Sequence, residues 1–169
     1  MVYLRVLTLL SAAISAPLLA APISYSKDVQ PIFERNCIAC HGCYDAPCQL
    51  KLTSGPGALR GASKELVYDG GRLKAAQPNQ LFFDAQTTEQ WRNRGFYSVL
   101  DQDGEQAALM SRMLELGHQT TLTPNARLPD DLDISSYRKN QCPKPDEFAA
   151  FSKKYPSVGM PFAVTGLPA

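Results

Sequence analysis

Five residues constrain this chain more than any others: Cys37-Ile38-Ala39-Cys40-His41. Two thiols three positions apart fall on one side of a helical turn, and an imidazole follows directly. C-x-x-C-H is the attachment signature of a c-type haem. The thiols form thioethers with the two vinyl groups, and the histidine is placed beneath the iron as an axial ligand. Other readings of the spacing are a zinc half-site, a redox C-x-x-C, or coincidence. A zinc site would need a second C-x-x-C or H-x-x-x-H pair, which the sequence lacks. A thioredoxin-like motif would follow a strand in a βαβ pattern, and the residues before Cys37 have helical spacing instead. The expectation is one covalent haem c, with Cys37 and Cys40 binding it and His41 ligating its iron.

The amino-terminus agrees with that chemistry, because c-type haem is attached outside the cytoplasm. Arg5 precedes an apolar run through Leu10 that continues with Ala12, Ala13 and Ile14, and small residues surround Ala20 and Ala21. That layout is a signal peptide over residues 1–21, cleaved on export to the periplasm. The alternative, a retained anchor, is weakened by Ser11, Ser15 and Pro17, which leave the run short for a membrane span. Residues 22–169 then form one domain. With the haem thiols assigned, Cys43, Cys48 and Cys142 remain, an odd number that allows at most one disulfide among them. Cys43 and Cys48, five apart in a turn, read as a local disulfide or buried thiols. A net charge of +1 with no basic stripe argues against a nucleic-acid partner.

The remaining pattern is mainly helical and loop-rich. Val29, Ile32, Phe33 and Cys37 share one helix face, with Asp28 as N-cap and Pro31 in the first turn. Ile32 and Phe33 are expected to pack on haem or core. Ser54 to Gly57 reads as a loop. Leu66-Val67-Tyr68, before the turn Asp69-Gly70-Gly71, and Leu81-Phe82-Phe83 read as short strands. Thr87 and Gln90 have capping-box spacing for a short helix that ends at Gly95, with Trp91 as core anchor. A longer helix is expected from Asp103, with Ala107, Met110, Met113 and Leu114 on one face and Gly117 as its stop. His118, the other histidine of the chain, reads as solvated rather than as a second iron ligand. Thr121 to Pro129 reads as a loop, and Asp130, Asp131 and Asp133 as a solvated acidic turn. A last helix is expected over Asp146 to Tyr155. In the loop Gly159-Met160-Pro161-Phe162, Met160 is a candidate second axial ligand, since a thioether suits haem iron and raises its potential. The plainer reading is a buried methionine.

A longer string of residues goes beyond the haem motif. It comprises Cys43-Tyr44-Asp45-Ala46-Pro47-Cys48-Gln49-Leu50, Arg60-Gly61-Ala62-Ser63-Lys64, Val67-Tyr68-Asp69-Gly70, Arg72-Leu73-Lys74-Ala75-Ala76, Leu81-Phe82-Phe83-Asp84-Ala85, Trp91-Arg92, Asn140-Gln141-Cys142-Pro143 and Gly159-Met160-Pro161-Phe162. With it, residues from Tyr25 to about Leu167 resemble the N-terminal part of the bacterial fatty acid cis/trans isomerases, periplasmic haem c enzymes. The resemblance implies a cytochrome-c-like haem domain with an insertion. It also implies an incomplete C-terminus, because the family's chains are several times longer. The implied reaction is cis-to-trans isomerisation of unsaturated fatty acyl chains of membrane lipids without net redox change. The substrates would be cis-unsaturated fatty acids or phospholipid acyl chains reached at the membrane surface, and the product would order the bilayer in a stress response. His41 and Met160 would be the catalytic iron ligands. A mono-haem electron carrier fits the motif and composition equally well. A haem peroxidase would want a distal His–Arg pair, and none stands out.

Overall fold

A computed structural model describes residues 21–42, 46–65, 79–102, 104–119 and 142–161. Residues 1–20 of the expected signal peptide, Cys43, the expected strand and turn at 66–71, Asp103, and the expected loop and acidic turn at 121–133 lie outside the described residues. The described chain is mainly helical and contains no strand, in agreement with the expected class.

The first helix begins earlier than the sequence suggested. A π-helical turn, Tyr25–Val29, runs directly into α1, Gln30–Asn36. Asp28 therefore sits inside the helix rather than at its N-cap. It still caps, because its carboxylate reaches back to accept from the Ser24 N–H at 2.7 Å. Cys37 interrupts the regular geometry, and α2, Ile38–His41, follows at once. The hydrogen bonds run through the break: Cys37 N–H donates to the Phe33 carbonyl and His41 N–H to the Cys37 carbonyl. Phe33 is half-buried against Tyr25 with ring centroids 6.3 Å apart. Ile32 is exposed, so of the two expectations for it, packing on haem or on core, the core is excluded.

Ser54 to Gly57 is not a loop but the start of α3, Gly55–Arg60. Ser54 is its N-cap, accepting from the Gly57 N–H, and Pro56 occupies the first turn, where its missing N–H is not needed. Leu81 to Phe83 is a turn rather than a strand. Asp84 N–H donates to the Gln80 carbonyl and Phe82 sits at φ 75°, which no strand accommodates. The expected capping box is present at α4, Thr88–Asn93: Thr87 accepts from the Gln90 N–H while Gln90 accepts from the Thr87 N–H.

The long helix α5 spans Leu109–Gln119. It starts later than expected and runs through Gly117 rather than stopping there. Gly117 is needed as a glycine for another reason. The chain at Gly159 and Met160 crosses its backbone so closely that a Cβ would strike the Met160 carbonyl. A short 3₁₀ turn, Pro145–Glu147, leads into α6, Phe148–Lys154, and the rings of Phe151 and Tyr155 lie tilted with centroids 5.4 Å apart.

The main core lies where α5 and α6 meet the 158–160 segment. It gathers Ala62, Val99, Leu109, Met113, Leu116, Phe151 and Val158, with Leu50, Tyr97, Met110 and Met160 packed around it. A smaller cluster joins Ala85, Phe96 and Trp91, the anchor the sequence suggested. A two-bond antiparallel bridge between Ala62 and Tyr97 links the two regions. The disulfide joins Cys48 to Cys142 across 94 positions, not Cys48 to Cys43. The expected local pairing fails because the tertiary fold brings a distant cysteine within a Cα separation of 5.5 Å.

Candidate functional site

The site is built around His41, which is only 8% exposed. Its Nδ1 lies 3.2 Å from the Leu50 carbonyl. A carbonyl can only accept, so Nδ1 carries the proton and Nε2 keeps its lone pair. Burial pushes the imidazole pKa down, and the Leu50 carbonyl acts in the opposite direction. The result is a neutral, oriented ring whose Nε2 lone pair has no partner among the described residues. A backbone carbonyl on the far nitrogen is the usual partner of a metal-ligating histidine.

The loop that supplies this carbonyl is tightly held. Cys48 and Gln49 sit at φ 57° and 49°, two consecutive side-chain-bearing residues in the left-handed region. Such residues cost about 1 to 3 kcal/mol each and persist only where their surroundings hold them. Here Gln49 N–H donates to the Ala46 carbonyl and Leu50 N–H to the Pro47 carbonyl. Ser63 N–H donates to the Cys48 carbonyl, and the Leu52 N–H returns to the His41 carbonyl at 2.9 Å. Arg60 donates from Nη2 to the Gln49 carbonyl, and the Gln49 amide donates to the Glu65 carbonyl. The disulfide anchors Cys48 from the other side.

Gln49 and Arg60 are the two most completely buried large side chains described, and sequence reasoning missed their roles. Glutamine and arginine are ordinarily surface residues, so nothing in hydropathy marks them. Their place in the longer residue string was the only available signal.

Cys37 is half-buried and Cys40 exposed, and both thiols are free. Burial, then the neighbouring Cys40, raises the Cys37 pKa. The pair lies one turn apart next to His41, on a helix end open to solvent. The donor set therefore suits a haem c: two unpaired thiols for thioether bonds, and a neutral imidazole whose far nitrogen is already engaged. Among the described residues no three His, Cys, Asp or Glu side chains gather at one point, so the zinc half-site reading gains no partner here.

Met160 packs against the main core, and its N–H donates to the Met113 carbonyl at 2.8 Å. Leu50 packs against the same cluster, so the Met160 loop and the loop that orients His41 share one core. His118 is exposed on the last turn of α5.

Fold and site together define a mainly helical, disulfide-tied protein that presents a thiol–thiol–imidazole set at a helix end. Residues 76–169 match the model of the fatty acid cis/trans isomerase (CTI) family, and the chain belongs to that family. The match includes Leu81 to Ala85, Trp91-Arg92, Cys142-Pro143 and Gly159 to Phe162, and it leaves Cys37 to His41 outside. No curated protein and no solved structure matches the chain.

Proposed function

We propose that this chain takes part in a haem c-dependent cis-to-trans isomerisation of unsaturated fatty acyl chains, and that residues 22–169 form a cytochrome-c-like haem domain. Membership of the isomerase family supports the reaction and the acyl substrate class. The observation that carries haem dependence is the buried His41, with Nδ1 held by the Leu50 carbonyl beside two free thiols. Cys37 and Cys40 would hold the macrocycle, and His41 would ligate the iron through Nε2. Met160 is the proposed exchangeable second ligand. When bound, a haem supplies an electrophilic iron able to draw π density from a cis double bond, which lowers the barrier to rotation with no net redox change.

The chain's own residues supply order. The Leu50 carbonyl fixes the tautomer and orientation of His41, and the 46–52 loop keeps that carbonyl in place. Periplasmic location follows from the proposed signal peptide at residues 1–21. No helix among the described residues is long and apolar enough to cross a membrane. Substrate would then be met as free fatty acid or as lipid acyl chain at a membrane surface.

The test is to express the chain with haem-c maturation and incubate it with a cis-monounsaturated fatty acid or phospholipid, counting trans product by gas chromatography. Trans product that disappears in His41→Ala is the expected result. Covalent haem without trans product, both here and in a longer chain of the family that includes these residues, would overturn the isomerase reading and leave an electron carrier. Absence of covalent haem would sink the haem assignment itself.

A further inference from the structure

The loop that orients His41 has a second face. Lys51, Thr53 and Ser54 continue from Leu50 and line a cleft of about 530 Å³ together with Arg60, Asn79 and the turn at Leu81, Phe82 and Phe83. That volume lies within the range of small-ligand sites. The cleft adjoins the proposed haem-attachment segment. Leu52 N–H is bonded to the His41 carbonyl, and a Cβ on Gly42 would lie 3.8 Å from the Thr53 methyl.

Arg60 is 2% exposed, yet none of the ion pairs among the described residues includes it. It donates to the Asn79 carbonyl at 3.2 Å and to the Gln49 carbonyl, and its guanidinium lies over the rings of Phe96 and Trp91 at 4.8 and 5.4 Å. Its Nε has no partner among the described residues. Carbonyl dipoles and π faces soften the cost of burying that cation but do not neutralise it. Burial alone pulls its pKa down, which is the mark of a charge short of a counter-ion. Lys51 adds a second cation to the lining, and none of the described lining residues is acidic.

Other residues of the lining are apolar. Phe82 and Phe83 are 58% and 83% exposed. The turn that presents them holds Phe82 in the left-handed region, unfavourable for an aromatic residue. Backbone strain spent on exposing two phenyl rings beside a positive cleft is the pattern of a built binding surface. One part of the lining attracts an anion and the other an apolar body.

We propose that this cleft binds a carboxylate over Lys51 and Arg60, with the attached apolar body lying along Leu81, Phe82 and Phe83. Two molecules carry that chemistry here: a free fatty acid, and the propionate arm of a haem attached at Cys37 and Cys40. The inference deepens the proposed function and rests on it for the acyl class of ligand. It is tested by binding rather than turnover, so the two fail separately.

The haem-loaded chain is titrated by calorimetry with oleate below its micellar concentration, and in parallel with methyl oleate, which keeps the chain but lacks the charge. If the fatty acid is the source, oleate binds saturably and methyl oleate binds on the order of tenfold more weakly, the loss of a charge-assisted contact. Lys51→Gln weakens oleate and leaves methyl oleate unchanged, and Phe83→Ser weakens both. These variants alter partly or largely exposed side chains, whereas Arg60 also holds the 46–52 loop and is left intact. If haem propionate is the source, oleate does not bind, and Lys51→Gln shifts the propionate bending band in the resonance Raman spectrum. Equal binding of oleate and methyl oleate overturns the proposal. So does an absence of oleate binding together with a propionate band that Lys51→Gln leaves unmoved. Oleate binding without isomerase activity, both here and in the longer chain, would keep the cleft and remove the isomerase reading.

Discussion

Tyr97 shows how much one residue can join. Its backbone forms the bridge to Ala62, and its hydroxyl donates to the Cys142 carbonyl at 3.1 Å, beside the disulfide. Burial, and then the charge of Glu147, raises its phenol pKa well above the ordinary value of 10.0. A folded-state pKa above the unfolded one stabilises the fold fully below pH 10.0 and ceases to do so as pH rises through the folded value. Tyr97→Phe is therefore expected to lose about 1 kcal/mol at neutral pH, the net worth of one hydrogen bond. It should also show a flatter fall in stability toward alkaline pH than the parent. Urea midpoints at neutral pH and at about pH 11 check both parts. Parallel curves across that range would mean that the phenol is not desolvated in the folded chain.

Among the elements, α5 carries the sharpest test of the packing. Alanine ordinarily exceeds glycine in a helix interior by about 1 kcal/mol. Gly117 lies inside α5, so propensity alone says that Gly117→Ala stabilises. The crossing at Gly159 and Met160 says the reverse, since the new Cβ would strike backbone that cannot rotate away. Gly117→Ala is expected to cost about 1 to 3 kcal/mol by overpacking, read as a lower midpoint in thermal unfolding. A rise would show that the 158–160 segment does not cross there. At α4 the capping box predicts a smaller effect. Thr87→Ala removes the acceptor for the Gln90 N–H and should cost about 1 kcal/mol by the same measurement.

At the scale of the whole molecule, the Cys48–Cys142 disulfide is the longest-range tie described. Closing a loop of 94 positions constrains the unfolded chain strongly, and removing such a bond typically costs about 2 to 5 kcal/mol. The double change Cys48→Ser with Cys142→Ser should show that loss in urea unfolding, and reductant should lower the parent to nearly the same midpoint. An unchanged midpoint would mean that the two cysteines are not paired in the folded protein. The bond also anchors the loop whose Leu50 carbonyl holds His41. The double variant therefore bears on the proposed haem site as well as on stability.

What the sequence determined by itself is local. The capping box at Thr87 and Gln90 and the last helix depend on spacings of a few residues, and local backbone physics decides those. The family was also legible, because a long residue string carries more information than any single motif. The misreadings came where distant segments meet. Gly117 looked like a stop because a glycine late in a helical pattern usually is one, and only the crossing by Met160 shows why it sits mid-helix. Cys48 read as half of a local disulfide with Cys43 or as a buried thiol, because nearness in sequence was all there was to judge by. The His41–Leu50 bond and the burial of Gln49 and Arg60 belong to the tertiary structure alone. Each depends on a turn closing back on a helix, and burying a polar side chain is favourable only when its partners have already been brought into place.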